Sequence, residues 1–204
     1  MSANASMQCP KSLMDEDVWR AQLYQLLGQL LTDPPTAELL TGLASLEGDD
    51  TEIGRATKTL AAVAGKVSAE DVEREYNALF IGLGRGEVLP YGSYYLTGFL
   101  NEKPLAALRQ TLGSLGIARA EGVAEPEDHA GFLCQVMAGL ITGSFQGGPA
   151  SVAQQKAFFE AHMAPWMKLV FSDIERAESA VLYAPIGTLG RHLMDVEADA
   201  FRME

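Results

Sequence analysis

The feature that most constrains this chain is the recurrence of apolar residues at helical spacing. The first run begins behind an acidic turn at Asp15 and is stopped by Asp33-Pro34-Pro35. Its apolar residues are Val18, Leu23, Leu26, Leu27, Leu30 and Leu31. Patterns of the same period return over residues 36–46, 51–64, 68–80, 104–115, 126–141, 151–163, 165–177 and from 185 toward the C-terminus. No segment shows the convincing alternation with period two that a strand requires, so the sequence predicts an all-α fold.

Several of these helices begin or end at recognisable signals. Thr36 is a candidate N-cap, and Ser68 followed by Asp71 resembles a capping box with Asp in place of the usual Glu. Pro104 suits the first turn of a helix. The segment IGLGRGEVLPYGSYYLTG, residues 81–98, contains five glycines and a proline among aromatic residues. Such a composition breaks helices but keeps apolar side chains available, and it predicts a structured loop.

The stretch EPEDH, residues 125–129, puts three acids and a histidine where a long apolar helix is expected to begin. We predict that Pro126 occupies the first helical position and that the helix runs to about Ile141. The three acids would then place negative charge at the positive end of the helix. That helix end disfavours a protonated His129 while the carboxylates favour it, and we predict a neutral, hydrogen-bonding imidazole.

The organisation along the chain indicates one domain. Residues 1–14 are expected to form a flexible N-terminus, and residues 15–204 one helical domain. At 204 residues and 48% hydrophobic composition, the chain is long and apolar enough to bury a core. No internal repeat or long linker interrupts it. Gly147-Gly148-Pro149, residues 147–149, is the predicted hinge, and an exchange of helices there would give a homodimer.

Composition excludes several classes of function. Fifteen Lys and Arg residues against 27 Asp and Glu give a formal net charge of -12, which argues against nucleic-acid binding and favours cationic partners. No apolar run approaches the roughly 20 residues of a membrane span, and the N-terminus lacks the pattern of a secretory signal. Two cysteines, Cys9 and Cys134, form no disulfide framework. We therefore expect a cytoplasmic protein without membrane insertion.

The sequence offers little support for catalysis or a cofactor. GLGRG, residues 82–86, follows a predicted helix and lacks the GK[ST] ending of a phosphate-binding loop. The three histidines, His129, His162 and His192, lie in different helical segments, so no metal site is expected. Glu127, Asp128 and His129 could serve acid–base catalysis together, but no nucleophile stands in a familiar arrangement. We expect no enzyme activity and no cofactor.

Three separated stretches together resemble the TorD/DmsD family of cytoplasmic redox-enzyme maturation chaperones, which is related to NarJ-type proteins. The first stretch is YNALFIGLGRGEVLPYGSYYL from Tyr76, with an aromatic residue, Leu-Phe, a glycine-containing loop and Pro-aromatic-Gly-Ser. The second is EPEDH, and the third is QQKAFFEAHMAPWMKLV. The third run carries the pattern at Gln155, Phe158, Phe159, His162, Pro165 and Trp166. The resemblance covers roughly residues 19–193, and the combination is far more specific than any single motif.

The resemblance implies a TorD-like single-domain helical bundle that binds the N-terminal twin-arginine signal peptide of a molybdenum-containing reductase or dehydrogenase. A peptide with a cationic start and an apolar continuation calls for carboxylates beside an apolar groove. The acids of EPEDH could therefore both cap their helix and meet the peptide. The candidate binding residues are Glu125, Glu127, Asp128, His129, Tyr76, Leu79, Phe80, Pro90, Tyr91 and Ser93.

Other interpretations stay open from the sequence. Tyr76, Leu79 and Phe80 fit a helical core face as well as a groove, whereas Tyr91 in its Pro-Gly frame is the better groove candidate. Tyr91 also stands where relatives often have Trp, so the groove and its client could differ from theirs. The protein could instead be a NarJ-like assembly factor for a non-exported molybdoenzyme, or a weak nucleotide hydrolase.

Overall fold

The computed structural model describes residues 14–118, 125–145 and 147–203. The predicted N-terminal region therefore lies outside the described residues except for Met14, as does Cys9. Every named element among the described residues is a helix, and the one pairing of extended backbone among them is an isolated antiparallel bridge between Tyr91 and His129. The elements are α1 Asp15–Thr32, α2 Ala37–Ala44, α3 Glu52–Ala64, α4 Ala69–Tyr76, a π-helical turn Asn77–Ile81, α5 Gly92–Thr97, α6 Lys103–Ser114, α7 Ala130–Thr142, α8 Val152–His162, α9 Met167–Arg176 and α10 Tyr183–Met203. The prediction of an all-α fold is confirmed.

Helices α1 and α7 form the centre of the bundle, and most of the 13 residues of α7 are buried. Two glycines let these helices approach closely. A Cβ on Gly28 would lie 3.0 Å from the carbonyl oxygen of Gly131, and a Cβ on Gly131 would lie 3.0 Å from that of Gly28. Larger side chains would push the helices apart in an interior that has little free space. Helix α10 packs on α9 and α3, and α2 packs on α3.

Local capping places several helix starts where the sequence predicts them. The Thr36 hydroxyl accepts a hydrogen bond from the Leu39 N–H at 3.2 Å. Ser68 and Asp71 form both hydrogen bonds of a capping box at the start of α4. Each interaction satisfies amides that the first helical turn leaves without partners. These two predictions are confirmed.

Three predicted boundaries differ from the structure. The segment 81–98 contains helix α5 as well as a loop. Helix α9 begins at Met167 because Pro165 lies in a four-residue turn, and α10 begins at Tyr183, two residues earlier than expected. Long-range contacts cause the first difference, as described below.

The prediction that Pro126 opens the central helix is wrong, because α7 begins at Ala130 with His129 as its N-cap. The Pro126 carbonyl accepts a hydrogen bond from the His129 N–H at 3.2 Å, which closes a turn. The Ala130 N–H donates instead to the carbonyl of Pro90 at 2.8 Å. The acids of EPEDH therefore precede the helix, and none stands in its first turn.

A buried ion pair ties the first helix to the last. Arg20 of α1 contacts both carboxylate oxygens of Glu197 on α10, at 2.7 and 2.8 Å. The Glu197 side chain is 1% exposed and also accepts a hydrogen bond from the Tyr24 hydroxyl at 3.2 Å. Each charge is compensated by the other, and the pair joins the two helices.

Two features bear on association with membranes and with other copies. Within the described ranges, no helix is both long and apolar enough to cross a membrane. Residues 147–149 connect α7 to α8, and Gly147 and Gly148 have φ angles of 106° and 81°, which favour glycine. The hinge and the helix-exchanged homodimer stay predictions.

Candidate functional site

Two of the three motif stretches meet in the structure. Tyr91 and His129 pair as an antiparallel bridge, flanked by hydrogen bonds from the Gly92 N–H to the Asp128 carbonyl at 2.9 Å and from Ala130 to Pro90. The rings of Tyr91 and His129 pack edge to face, with centroids 5.2 Å apart. The sequences PYGS and EPEDH therefore form one unit, although more than 30 residues separate them.

Asp128 caps a helix, but it is not the helix that follows it in sequence. One of its carboxylate oxygens accepts a hydrogen bond from the Ser93 N–H at 2.6 Å, at the start of α5. Asp128 is 3% exposed and Ser93 is fully buried. A carboxylate at this position satisfies an N-terminal amide and favours the positive helix end. This contact explains why a helix forms in the segment predicted to be a loop.

His129 acts as the N-cap of α7 through its side chain. Its Nδ1 atom accepts a hydrogen bond from the Gly131 N–H at 3.1 Å, and only 6% of the residue is exposed. Burial lowers the pKa of His129 from 6.5 to about 4, against the opposing influence of Glu125 and Asp128. The imidazole is thus neutral at physiological pH, as predicted.

The two glutamates of the motif have different environments. Glu127 is buried and accepts hydrogen bonds at 3.0 and 2.8 Å from Arg109, which lies on α6. Glu125 is exposed and accepts a hydrogen bond from the Tyr91 hydroxyl. Tyr91 itself is half-buried, and both its burial and Glu125 raise the pKa of its hydroxyl. The pair of Tyr91 and Glu125 is therefore the part of this unit that faces solvent.

The aromatic residues before the glycine-rich loop belong mainly to the core. Leu79 is fully buried, and Tyr76 and Phe80 are each 8% exposed. The Tyr76 hydroxyl donates a hydrogen bond to the Thr32 carbonyl at 2.8 Å, at the end of α1. Burial, Asp33 and Glu125 raise the pKa of Tyr76 to about 12. Of the two interpretations from the sequence, the structure favours the core for these three side chains.

The third motif stretch contacts the same unit through Trp166. Trp166 is 2% exposed and donates a hydrogen bond to the His162 carbonyl at 2.7 Å. A Cβ on Gly92 would lie 3.0 Å from the Trp166 indole, so only glycine fits without displacing the ring. The Tyr95 ring also packs on Trp166, with centroids 5.8 Å apart. The Pro-aromatic-Gly-Ser sequence thus needs its glycine because of a residue more than 70 positions away.

The structure adds two charged residues that sequence reasoning did not select. In the sequence Asp33 is only part of a helix stop, yet in the structure it lies near enough to raise the pKa of Tyr76, as Glu125 does. Nothing in the local sequence of Arg109 points to Glu127, 18 residues away. Their partners come from distant segments of the chain, so periodicity alone gives no signal for either.

Neither a phosphate loop nor a metal site is evident among the described residues. The segment 82–86 follows the π-helical turn and folds back on it, with the Val88 N–H donating to the Leu79 carbonyl at 2.8 Å. A phosphate loop instead joins a strand to a helix. Across residues 14–118, 125–145 and 147–203, no three His, Cys, Asp or Glu side chains are grouped to hold a metal ion.

The fold and this unit define an all-helical protein whose three motif stretches, far apart in sequence, converge on one face. Residues 46–172, which include all three stretches, match the sequence model of the family described as nitrate reductase delta subunit. The chain belongs to this family, the TorD/NarJ group of redox-enzyme maturation chaperones.

Individual relatives agree with this assignment. The chain is 28% identical over 185 residues to the chaperone protein TorD of Vibrio cholerae serotype O1, El Tor Inaba strain, covering 84% of this chain and 83% of the relative. It is 27% identical over 184 residues to TorD of the Classical Ogawa strain, with the same coverage. The fold is similar to that of a candidate redox enzyme maturation protein from Archaeoglobus fulgidus, with a TM-score of 0.56 and 17% identity over 95% of this chain and 99% of that one.

Proposed function

We propose that this protein is a client-specific cytoplasmic chaperone that binds the N-terminal twin-arginine signal peptide of a molybdenum-containing oxidoreductase. It holds the client until the cofactor is inserted and export can begin, and it performs no reaction itself. The observation that supports this most is the convergence of the three motif stretches on one unit, with Tyr91 and Glu125 at its surface. Membership of the chaperone family supports the class of function.

In this proposal the ten candidate residues have two kinds of role. Tyr91 and Glu125 contact the peptide, because they combine an aromatic surface with a carboxylate that is accessible to solvent. The others position these two side chains. Asp128 and Ser93 fix the start of α5 through their hydrogen bond. His129 packs on the Tyr91 ring, and Glu127 is held by Arg109. Pro90, Tyr76, Leu79 and Phe80 form the buried support of the same face.

Calorimetric titration with synthetic leader peptides tests the proposal. The peptides come from molybdoenzymes encoded near this gene, such as a formate dehydrogenase or a trimethylamine oxide or dimethyl sulfoxide reductase. We expect one leader to bind tightly, and we expect Tyr91→Ala and Glu125→Gln each to weaken it about tenfold or more. Glu73→Gln on α4 removes another exposed carboxylate, outside the three motif stretches, and should have no effect. Absence of binding to every leader would refute the proposal.

The positioning roles need a separate control for folding. The double variant Asp128→Ala, His129→Ala should lose leader binding while keeping its helical circular dichroism signal at neutral pH. Raising the salt concentration should weaken binding by the parent protein, because exposed charges are screened over about 10 Å at 0.1 M ionic strength. Salt-independent binding would mean that apolar contacts dominate.

The match to the delta subunit family model favours one alternative client. The same face could take the N-terminus of a molybdoenzyme that is not exported and has no arginine pair. A leader in which both arginines are replaced by glutamine separates the two possibilities. Equal binding of the two leaders would favour the alternative.

A further inference from the structure

A groove separate from the Tyr91–Glu125 face runs along the N-terminal half of α1. It consists of two adjoining cavities of about 570 and 560 Å³, which share Trp19, Asp49, Thr51 and Ile53. The walls come from α1, the connection between α2 and α3, the first half of α3, and the stretch of α10 from Leu189 to Asp199. We call this the α1 groove.

The α1 groove presents large apolar side chains to solvent. Trp19 is 42% exposed, Leu46 38% and Val196 46%. Leu23 and Leu26 continue the apolar surface along α1, at helical spacing from Trp19. Trp residues are usually well buried, and an exposed apolar groove with a polar rim is typical of an interaction site.

The rim of the α1 groove is strongly acidic. Lys and Arg are absent from the described residues that line its two cavities, and His192 is the basic side chain among them. Glu16 and Glu47 make no ion pair within the described part of the chain. The six lining carboxylates are Glu16, Glu47, Asp49, Glu52, Asp195 and Asp199.

Three of these carboxylates have basic partners outside the lining. Glu52 pairs with Arg55, Asp195 with Lys168 and Asp199 with Arg202. These six side chains are all at least 42% exposed, so their ion pairs are weak and a ligand can replace them. The chemistry that fits the groove is a peptide with guanidinium groups and neighbouring apolar side chains. Arginine stacks on an indole and pairs with carboxylates in two-pronged hydrogen bonds.

We propose that the α1 groove receives the arginine-bearing start of the client's leader, while the Tyr91–Glu125 face receives a later part of it. This inference rests on the proposed function. It follows from a shortage of accessible charge at the first face, where Asp128 is buried against Ser93 and Glu127 is held by Arg109. The α1 groove supplies accessible carboxylates, whereas those of Asp128 and Glu127 are already engaged in these contacts.

The length of α1 sets the scale of the distance that one leader must span. From Glu16 in the groove to Thr32 at the end of α1 is about 24 Å at 1.5 Å per residue. Tyr76 contacts the Thr32 carbonyl, and Glu125 lies near enough to Tyr76 to raise its pKa. Some seven or eight extended residues cover that length, at about 3.3 Å each.

A double-mutant cycle tests the inference with the leader that binds the parent protein in the titrations above. The groove variant is Glu16→Gln with Glu47→Gln, and the matched control is Glu70→Gln with Glu73→Gln on α4, since all four side chains are exposed. We expect the groove variant to weaken the intact leader about tenfold and the control to change it less than twofold. With both arginines of the leader replaced by glutamine, the groove variant should cause no further loss, because coupled sites are not additive.

Tryptophan emission gives a second measurement that does not depend on those charges. The chain has two tryptophans, and Trp166 is 2% exposed. Leader binding should shield Trp19 from acrylamide quenching, and Trp19→Phe should abolish this change. Tight binding that leaves Trp19 emission unchanged would overturn the inference.

The outcomes separate this inference from the proposed function. Two results would refute the inference alone. The first is that the groove and control variants weaken leader binding equally. The second is that replacing the arginines of the leader weakens binding by the same factor in the groove variant as in the parent protein. Binding of no leader would refute both. A concentration-dependent dimer that Trp19→Ala dissociates, with leader binding unchanged, would show that a second copy occupies the groove and would also refute it.

Discussion

Lowering the pH from 8 to 5 should destabilise this protein through His129. The folded protein binds a proton at this residue only near pH 4, whereas the unfolded chain does so near 6.5. The unfolded state therefore takes up protons first as the pH falls. The stability contributed by the neutral imidazole is complete above about pH 6.5 and is lost progressively down to about pH 4.

The size of the effect follows from the two pKa values. Each pH unit in this window costs about 1.4 kcal/mol, so the free energy of unfolding should fall by about 2 kcal/mol at pH 5 and about 3 kcal/mol at pH 4. His162, whose pKa burial also lowers, acts in the same direction. The lowered pKa of Glu175 affects stability only below its ordinary value of 4.5.

His129→Asn isolates the contribution of this residue. Asparagine is a good N-cap and can still accept the hydrogen bond from Gly131, but it does not titrate. Urea unfolding followed by circular dichroism at several pH values should therefore show a steeper loss for the parent protein, by about 2 kcal/mol between pH 8 and 5. Parallel curves for parent and variant would refute the argument, as would an NMR titration of His129 with a midpoint near 6.5.

Two further changes test the contacts that define the bundle. Asp128→Ala should lower the free energy of unfolding by about 2 kcal/mol, because the buried Ser93 N–H loses a charged acceptor. Urea unfolding should show a smaller loss for Asp128→Asn. Equal losses for the two variants would contradict this reason. Arg20→Met should cost about 3 kcal/mol by leaving Glu197 buried without its partner, and thermal unfolding should show that adding Glu197→Leu restores much of the loss. A double variant no more stable than Arg20→Met would contradict the latter.

Much of the helical framework was predictable because its causes are local. The apolar period from Val18 to Leu31, the Thr36 cap and the Ser68–Asp71 capping box act over three or four residues. A chain that satisfies its own amides within one turn reveals this in its sequence. The same sequence, through its three motif stretches, was sufficient to identify the family.

The arrangement of the candidate site depends instead on contacts between distant residues. Glu125 to His129 look like the first turn of a helix, but Asp128 bonds to Ser93, 35 residues away, and Glu127 bonds to Arg109. These bonds bury two of the acids expected at the surface and leave Glu125 exposed. Local pattern cannot distinguish the outcomes, because a carboxylate satisfies an amide of a neighbouring helix as well as one of its own.

The sequence by itself determined that this chain forms helices, where most of them start, and which family it belongs to. Only the tertiary structure decided which charges reach solvent. The Trp166 indole packs against Gly92 and so fixes the position of α5. The arrangement of α1 beside α10 leaves Trp19 exposed in an acidic groove. Helix formation is governed by neighbours along the chain, whereas exposure is governed by which surfaces the helices cover when they pack.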